Sequence, residues 1–413
     1  MRHFIPLLAA TFLVASTLSS AAPAFDPARV SQDVKTLSDD SFEGRAPATL
    51  AEAKTVAFIS GRMKAAGLQP GGPGGAWTQD VPLLKADIIG TPALSMTIGG
   101  AVRPLSQGNE IAVRAALTGQ DRVDIKAAPL VFVGYGVKAA ERGWDDFKGA
   151  DLKGKILVVL VNDPDFEGGA GELGGDFGGK TMTYYGRWTY KYEEGARQGA
   201  AGVLVIHEYE PASYGWATVK NSNTNTMFDI VRANPRAEHV PIEGWIQRDL
   251  AADLFKAAGL DFDAMKKAAQ RKDFKPVPLN ATLDASYAVK AETIVSKNVL
   301  GRLPGKTHPN ETVVYSAHWD HLGIGLPDAK GDRIYNGAVD NATGIAALLE
   351  LARVYAAAPA PQRSVVFLAV TAEEKGLLGS EYYASNPVYP LSKTVGVINR
   401  DELSTGFTTD TSM

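Results

Sequence analysis

Glu373 and Glu374 stand side by side just beyond the apolar run SVVFLAV, in the stretch VTAEEKGLLGS at 370–380. Adjacent carboxylates repel, so a strand end gains nothing from both unless each has its own task or the pair is merely solvated. Other reactive side chains fall at equivalent places. TVVYSAH ends in His318 with Asp320 two residues on, NGAVDNATG carries Asp340 just before a helical stretch, and KTVGVIN runs out near Asp401. Imidazole and carboxylates without thiols suit zinc or a similar divalent ion. A carboxylate such as Asp340 can bridge two cations about 3.5–4 Å apart, and water on such ions, with a pKa of about 7, supplies a hydroxide nucleophile. One further carboxylate, free of metal, is then needed to take the water's proton and pass it to a leaving amine. Neighbouring residues at a strand end point in different directions. One glutamate can therefore ligate while the other faces the water, the cations offsetting their repulsion. Any one of these acids alone reads as a solvated surface group; the ordered set points to a metal site.

The elements that must position this set are legible in the last third of the chain. TVVYSAH, SVVFLAV and KTVGVIN read as strands, GIAALLELARVYAAA and GLLGSEYYAS as helices. Ile345, Leu348, Leu349 and Ala352 form the apolar stripe of the longer helix. Short continuous apolar strands alternating with helices predict an α/β fold, a mostly parallel twisted sheet with helices on both faces. In such sheets the chemistry lies beyond the carboxyl ends of the strands. Upstream, TLAEAKTVAFISGRMKAAG places Val56, Ile59 and Met63 on one helical face, with Gly67 as its C-terminal cap. A different texture begins near Val123: strand-like APLVFVGYG, GKILVVLVNDP and AGVLVIHE, a helix through RWTYKYEEGARQG, and the charged helical stretch LFKAAGLDFDAMKKAAQRKDFK.

The motifs SAHWDHLG, GAVDNATG, TAEEKGLLGS and INRDE, in that order, resemble those of the co-catalytic di-zinc aminopeptidases, the family of bacterial leucyl aminopeptidases. LSDDSFEGRAPATLAEAKTVAFISGRMKAAGLQP resembles the family's N-terminal segment, and the mixed region resembles the α+β, β-rich protease-associated insert of some members. The resemblance implies a signal peptide at 1–24, the N-terminal part of a peptidase domain at 25–120, the insert at 121–280, and the metal-binding catalytic part at 281–413. It also implies residue roles. Asp340 bridges two Zn2+ ions, His318 and Asp401 complete one site, Glu374 contributes to the other, and Glu373 is the general base. Asp320, no ligand itself, is expected to hydrogen-bond the second nitrogen of His318 and fix its tautomer. A cis peptide is expected between Asp340 and Asn341.

One departure bears on the second metal. Family members place a further histidine downstream, whereas the six histidines here stand at 3, 207, 239, 308, 318 and 321. His321 is read as a loop residue beyond His318 rather than a ligand, and His207 as structural. On this reading the chain is C-terminally truncated, holds the first zinc normally and the second weakly, and leaves its sheet partly uncovered. Tyr184, Tyr185, Trp188 and Tyr190 are expected to pack between insert and catalytic part.

Composition narrows the alternatives. A chain of 413 residues with 45% hydrophobic residues can bury more than one core. A net charge of −4 without a long block of one sign argues against nucleic acid and anionic membranes. With no cysteine, thiol catalysis, disulfides and thiolate zinc sites are excluded. The start MRH, the apolar FIPLLAATFLVAST and the small-residue APA at 22–24 predict an export signal too short to span a bilayer. The mature protein is thus expected to be periplasmic or secreted, without a stable membrane anchor. GGDFGGKT and GAGELG imitate nucleotide loops, but they lie in a long loop after the strand ending near Asp163, among Glu167, Glu172 and Asp176, which would repel phosphate. The readings that remain are an exported metallo-aminopeptidase acting on peptides or small proteins, and a non-catalytic peptide-binding homologue. A carboxypeptidase or a cyclising acyltransferase on the same scaffold stays open within the enzyme class.

Overall fold

The computed structural model describes residues 23–168, 174–325, 327 and 330–401. Most of the expected export signal, all of GAGELG but its last glycine, and the tail after Asp401 therefore lie outside the described residues. Helix α1 (Pro27–Leu37) starts at Asp26, whose carboxylate accepts the N–H of Ala28. Helix α2 (Leu50–Ala65) buries Ile59 and Met63, with Val56 packed beside them. It ends where Gly67 turns to φ +91°, a conformation that favours glycine.

The centre is one mixed sheet of 13 strands among the described residues. Its principal members are β1 (Thr78–Ile98), β2 (Ile111–Val113), β3 (Arg122–Phe132), β4 (Ile156–Leu160), β5 (Gly202–His207), β6 (Met227–Ile230), β7 (Ile242–Gln247), β8 (Val277–Leu303), β9 (His308–His318), β10 (Arg363–Val370) and β11 (Thr394–Asn399). The order β11-β9-β10-β8-β3-β4-β5-β7-β2 holds two parallel blocks, β11-β9-β10 and β3-β4-β5-β7. The α/β class is as the sequence predicts; the parallel pairing is confined to these blocks. Antiparallel β8 joins them, pairing β3 along its first half and β10 at its end, with β1 alongside. All five residues of β4 and all six of β5 are buried, which is why both read as unbroken apolar runs.

Several apolar cores flank the sheet. One gathers α2, the ends of β8 and β10, and helix α6 (Thr343–Ala357), formally numbered after α3 (Trp188–Arg197), α4 (Arg248–Ala257) and α5 (Phe262–Ala268). Ile345, Leu348, Leu349 and Ala352 all enter it beside Phe367 and Ala369. Complete burial of one such aliphatic side chain is worth about 1.5–3 kcal/mol. A second core joins Leu130, Phe132, Ile156, Leu204 and Ile242, and it includes Leu94, Met96, Ile111 and Val113 from before residue 120. The charged stretch after β7 is two helices, α4 and α5, separated around Gly259 at φ +75°.

Tyr184, Tyr185 and Tyr190 do not bridge the two cores. They pack edge-on against one another and Phe177, while Trp188 meets Tyr192. Arg232, bonded to Asp229 of β6, also reaches Glu381 of helix α7 (Leu378–Ser385) at 2.7 Å, tying β6 to α7. Strand β11 leaves Val395, Val397 and Ile398 exposed. No helix among the described residues is long and apolar enough to cross a membrane.

Candidate metal centre

Three parallel strands deliver the candidate residues to one edge. β9 ends at His318, and Trp319 N–H donates to the Val370 carbonyl at 2.9 Å, holding the end of β9 against β10. Arg400 N–H donates to the Ser316 carbonyl at 2.8 Å and so sets Asp401 beside His318. Asp340 lies in the turn before α6, and the Asp340–Asn341 peptide is cis, as expected. The Asn341 amide donates to the Arg400 carbonyl at 2.9 Å and accepts from Gly344 N–H at 2.9 Å, pinning the start of α6 to the end of β11.

The geometry brings His318, Asp340, Glu374 and Asp401 to a common pocket. His318 Nε2 lies 3.1 Å from Asp340 Oδ1, 3.1 Å from Asp401 Oδ1 and 3.9 Å from Glu373 Oε2. One donor atom from each of His318, Asp340 and Asp401 falls within 4.8 Å of the others, and the same holds for His321, Asp340 and Glu374. Asp340 belongs to both groups. Glu373, whose neighbour Glu374 joins the second group, belongs to neither.

Two expectations need correction. Asp320 does not fix His318 through its side chain: its backbone carbonyl accepts from Nδ1 at 3.1 Å, while the carboxylate stays 3.8 Å away. The carbonyl still puts the proton on Nδ1 and leaves Nε2 facing the carboxylates. The buried Asp320 carboxylate instead accepts the backbone N–H groups of Glu373 at 3.0 Å and Glu374 at 3.4 Å, so it holds the turn that presents both glutamates. The second correction concerns His321. Its loop folds back, bringing Nδ1 to 2.5 Å from Glu374 Oε1 and 3.9 Å from Asp340 Oδ2.

Arg45, from the FEGR stretch, escaped the sequence reading. Fully buried, it donates to the carbonyls of Trp319 at 2.9 Å, Leu37 at 2.7 Å, Asn336 at 2.6 Å and Gly337 at 2.7 Å. It thereby clamps the loop after β9 against the loop before Asp340. Gly337 sits at φ +58°, and a Cβ there would stand 2.5 Å from His321 Cγ and 2.6 Å from the Arg45 guanidinium. A lone buried arginine far from the motifs gives no local signal; only the charge within an otherwise apolar neighbourhood of the fold marks it.

The electrostatics suit a cation. Burial alone would lower the His318 pKa, but the hydrogen bond to Asp340 and the charges of Asp320, Glu373 and Asp401 raise it to about 10. Burial, reinforced by Asp320, Glu374 and Asp401 against the pull of His318, pushes Glu373 up to about 7. Burial lifts Asp320 to about 6. Asp340, despite burial, is held below the usual carboxylate range by His318, with His321 and Arg45 assisting. A field that retains a proton on an imidazole in this way is one a divalent ion can satisfy instead, and nitrogen with carboxylate oxygen is a donor set zinc accepts. The residues fit the metal.

Residues 298–410 match peptidase family M28. Over 104 residues the chain is 36% identical to a "Probable zinc metalloprotease" of Pyricularia oryzae, a span covering 25% of this chain and 20% of that protein. Over 130 residues it is 32% identical to "Aminopeptidase NAALADL1" of Mus musculus, covering 30% and 16% respectively. The chain thus spans about a fifth of the length of the curated relatives it matches. Among solved structures, an aminopeptidase from Aneurinibacillus sp. strain AM-1 aligns with 92% of this chain and 70% of its own at 20% identity and a TM-score of 0.47. The segment bearing the four motifs is thus similar to the M28 peptidases and to a relative named as a zinc metalloprotease.

Proposed function

We propose that the protein is an exported, zinc-dependent aminopeptidase that removes N-terminal residues from peptides. The observation that carries this reading is the pair of donor groups sharing Asp340, with Glu373 beside them and committed to neither. His318, Asp340 and Asp401 would hold one ion, and Asp340 and Glu374 would belong to the second. Zinc, when bound, supplies a Lewis acid that acidifies a water and polarises the scissile carbonyl. Glu373, which belongs to neither donor group, is free to accept a proton from that water and return it to the leaving amine. Asp320 fixes the backbone under that carboxylate, and Arg45 fixes the loops that carry His318 and Asp340. The aminopeptidase reading is supported by the mouse relative, an aminopeptidase that this chain resembles over 130 residues.

The region 121–280 is proposed as a protease-associated insert flanking the site, and residues 1–24 as the export signal. The defining test is hydrolysis of aminoacyl anilides by the zinc-loaded chain and its Glu373→Gln variant. A positioned general base contributes about 10²–10⁴-fold. E373Q should therefore lose at least about 100-fold in kcat, with zinc content unchanged. Full activity in E373Q would remove the base, and zinc uptake without hydrolysis in the parent chain would instead favour the peptide-binding homologue. Export is checked by mass spectrometry of protein recovered outside the cytoplasm, whose first residue should be Phe25.

A further inference from the structure

We infer that His321 is a nitrogen ligand of the second cation site, an inference that rests on the metallopeptidase reading above. The second donor group is a carboxylate pair, Asp340 and Glu374, completed by the imidazole of His321. Its arrangement mirrors the first group: one imidazole and two carboxylates, with Asp340 common to both. Among the described residues this group offers three protein ligands, the number that catalytic zinc sites use.

His321 is built into place rather than left on a loose loop. Its ring is largely buried, with 13% of the side chain exposed. Its backbone N–H points at the Arg45 carbonyl at 3.4 Å, and the Arg45 side chain grips the carbonyls of Trp319 and Gly337 on either side. The ribbon pairing Gly323–Ile324 with Ile334–Tyr335 returns the chain toward the site just after His321. Gly337 gives the ring its space, since any Cβ there would strike Cγ. Nδ1 thus faces Glu374 and Asp340 together. A histidine that only satisfied Glu374 would need neither the cleared glycine nor the approach to Asp340.

The test is zinc binding by the full chain, measured by equilibrium dialysis with atomic absorption. The parent should hold two equivalents. His321→Ala and His321→Gln should keep one tight equivalent and bind the second more than about 100-fold more weakly, beyond the 10–100-fold loss typical for a residue that merely supports a ligand. His318→Ala should weaken the other equivalent. Two equivalents in H321A with affinity within about tenfold of the parent overturn the inference, since even a supporting residue commonly costs that much. Should either variant fail to fold, ¹⁵N-histidine spectra of the unaltered chain decide: zinc should shift the ring nitrogens of two histidines, and a shift of only one refutes the assignment. A parent chain that binds no zinc at all defeats the metallopeptidase reading itself, a result distinct from loss of His321's role alone.

Discussion

Replacing Arg45 tests whether the pocket is held by a buried clamp. Arg45→Met keeps much of the aliphatic bulk but removes the guanidinium that now serves the carbonyls of Leu37, Trp319, Asn336 and Gly337. Leaving a buried acceptor unsatisfied costs about 1–3 kcal/mol. The bonds to Leu37 and Trp319 are buried, whereas those to Asn336 and Gly337 are partly buried and can be rehydrated. Against this loss, the variant no longer desolvates a cation, a cost visible in the Arg45 pKa, which burial pulls down to about 10. The net should be about 3 kcal/mol of destabilisation, toward the upper end of ordinary single substitutions. Arg45→Lys retains the charge, yet a single ammonium cannot reproduce a planar fork serving four acceptors, so it should recover less than half of that loss. Urea unfolding of the metal-free protein measures both, and zinc affinity of the folded variants reports the slackened loops. A loss under about 1 kcal/mol in R45M, the size of one ordinary net hydrogen bond, would refute the clamp, as would a lysine variant as stable as the parent.

Further outcomes follow from the same site and from the second core. Asp320→Asn leaves only one carboxamide oxygen for the N–H groups of Glu373 and Glu374 and brings an NH2 against one of them. It should lower kcat by about 10-fold or more while zinc content and KM change little, the split expected of a positioning residue; unchanged kcat counts against the role. His239 is clasped by Glu243 at 2.7 Å and Asp229 at 2.9 Å. Burial opposes its charge, but those carboxylates raise its pKa from 6.5 to about 10. The folded state therefore binds the proton more tightly than the unfolded chain. This contribution is complete below about pH 6.5 and disappears as pH rises through 10. The stability gap between the parent and His239→Gln should narrow across that window when followed by urea unfolding; a gap independent of pH would refute the charged clasp.

The convergence of His318, Asp340, Glu374 and Asp401 was legible because a parallel sheet sends successive strand ends to one edge, and each strand announces itself as an apolar run, buried in β9 and β10 and exposed in β11. The helix stripe from Ile345 to Ala352 was legible for a similar reason, its period matching a single buried face. What stayed hidden depends on folding of irregular chain. His321 became a neighbour of Glu374 only through the return of its loop under Arg45, 276 positions earlier in the chain. Asp320, two residues from His318, looked like its partner by proximity, but its fully buried carboxylate turns toward the backbone N–H groups just beyond the neighbouring strand β10. Aromatic residues around Tyr185 suggested a bridging face because spacing alone cannot tell a cluster's own packing from a contact across a boundary.

The unbroken run of β8 has a mechanical corollary. A ladder that continues from Ala281 against β1 to Leu303 against β10, with one register shift between Ser286 and Ala288, opposes a clamshell bend, which would have to tear backbone pairing. Traffic to and from the carboxylate edge must then pass over the connecting segments around His321, Asp340 and Glu373, so the pace of turnover would be governed there, by small local shifts on a stiff platform.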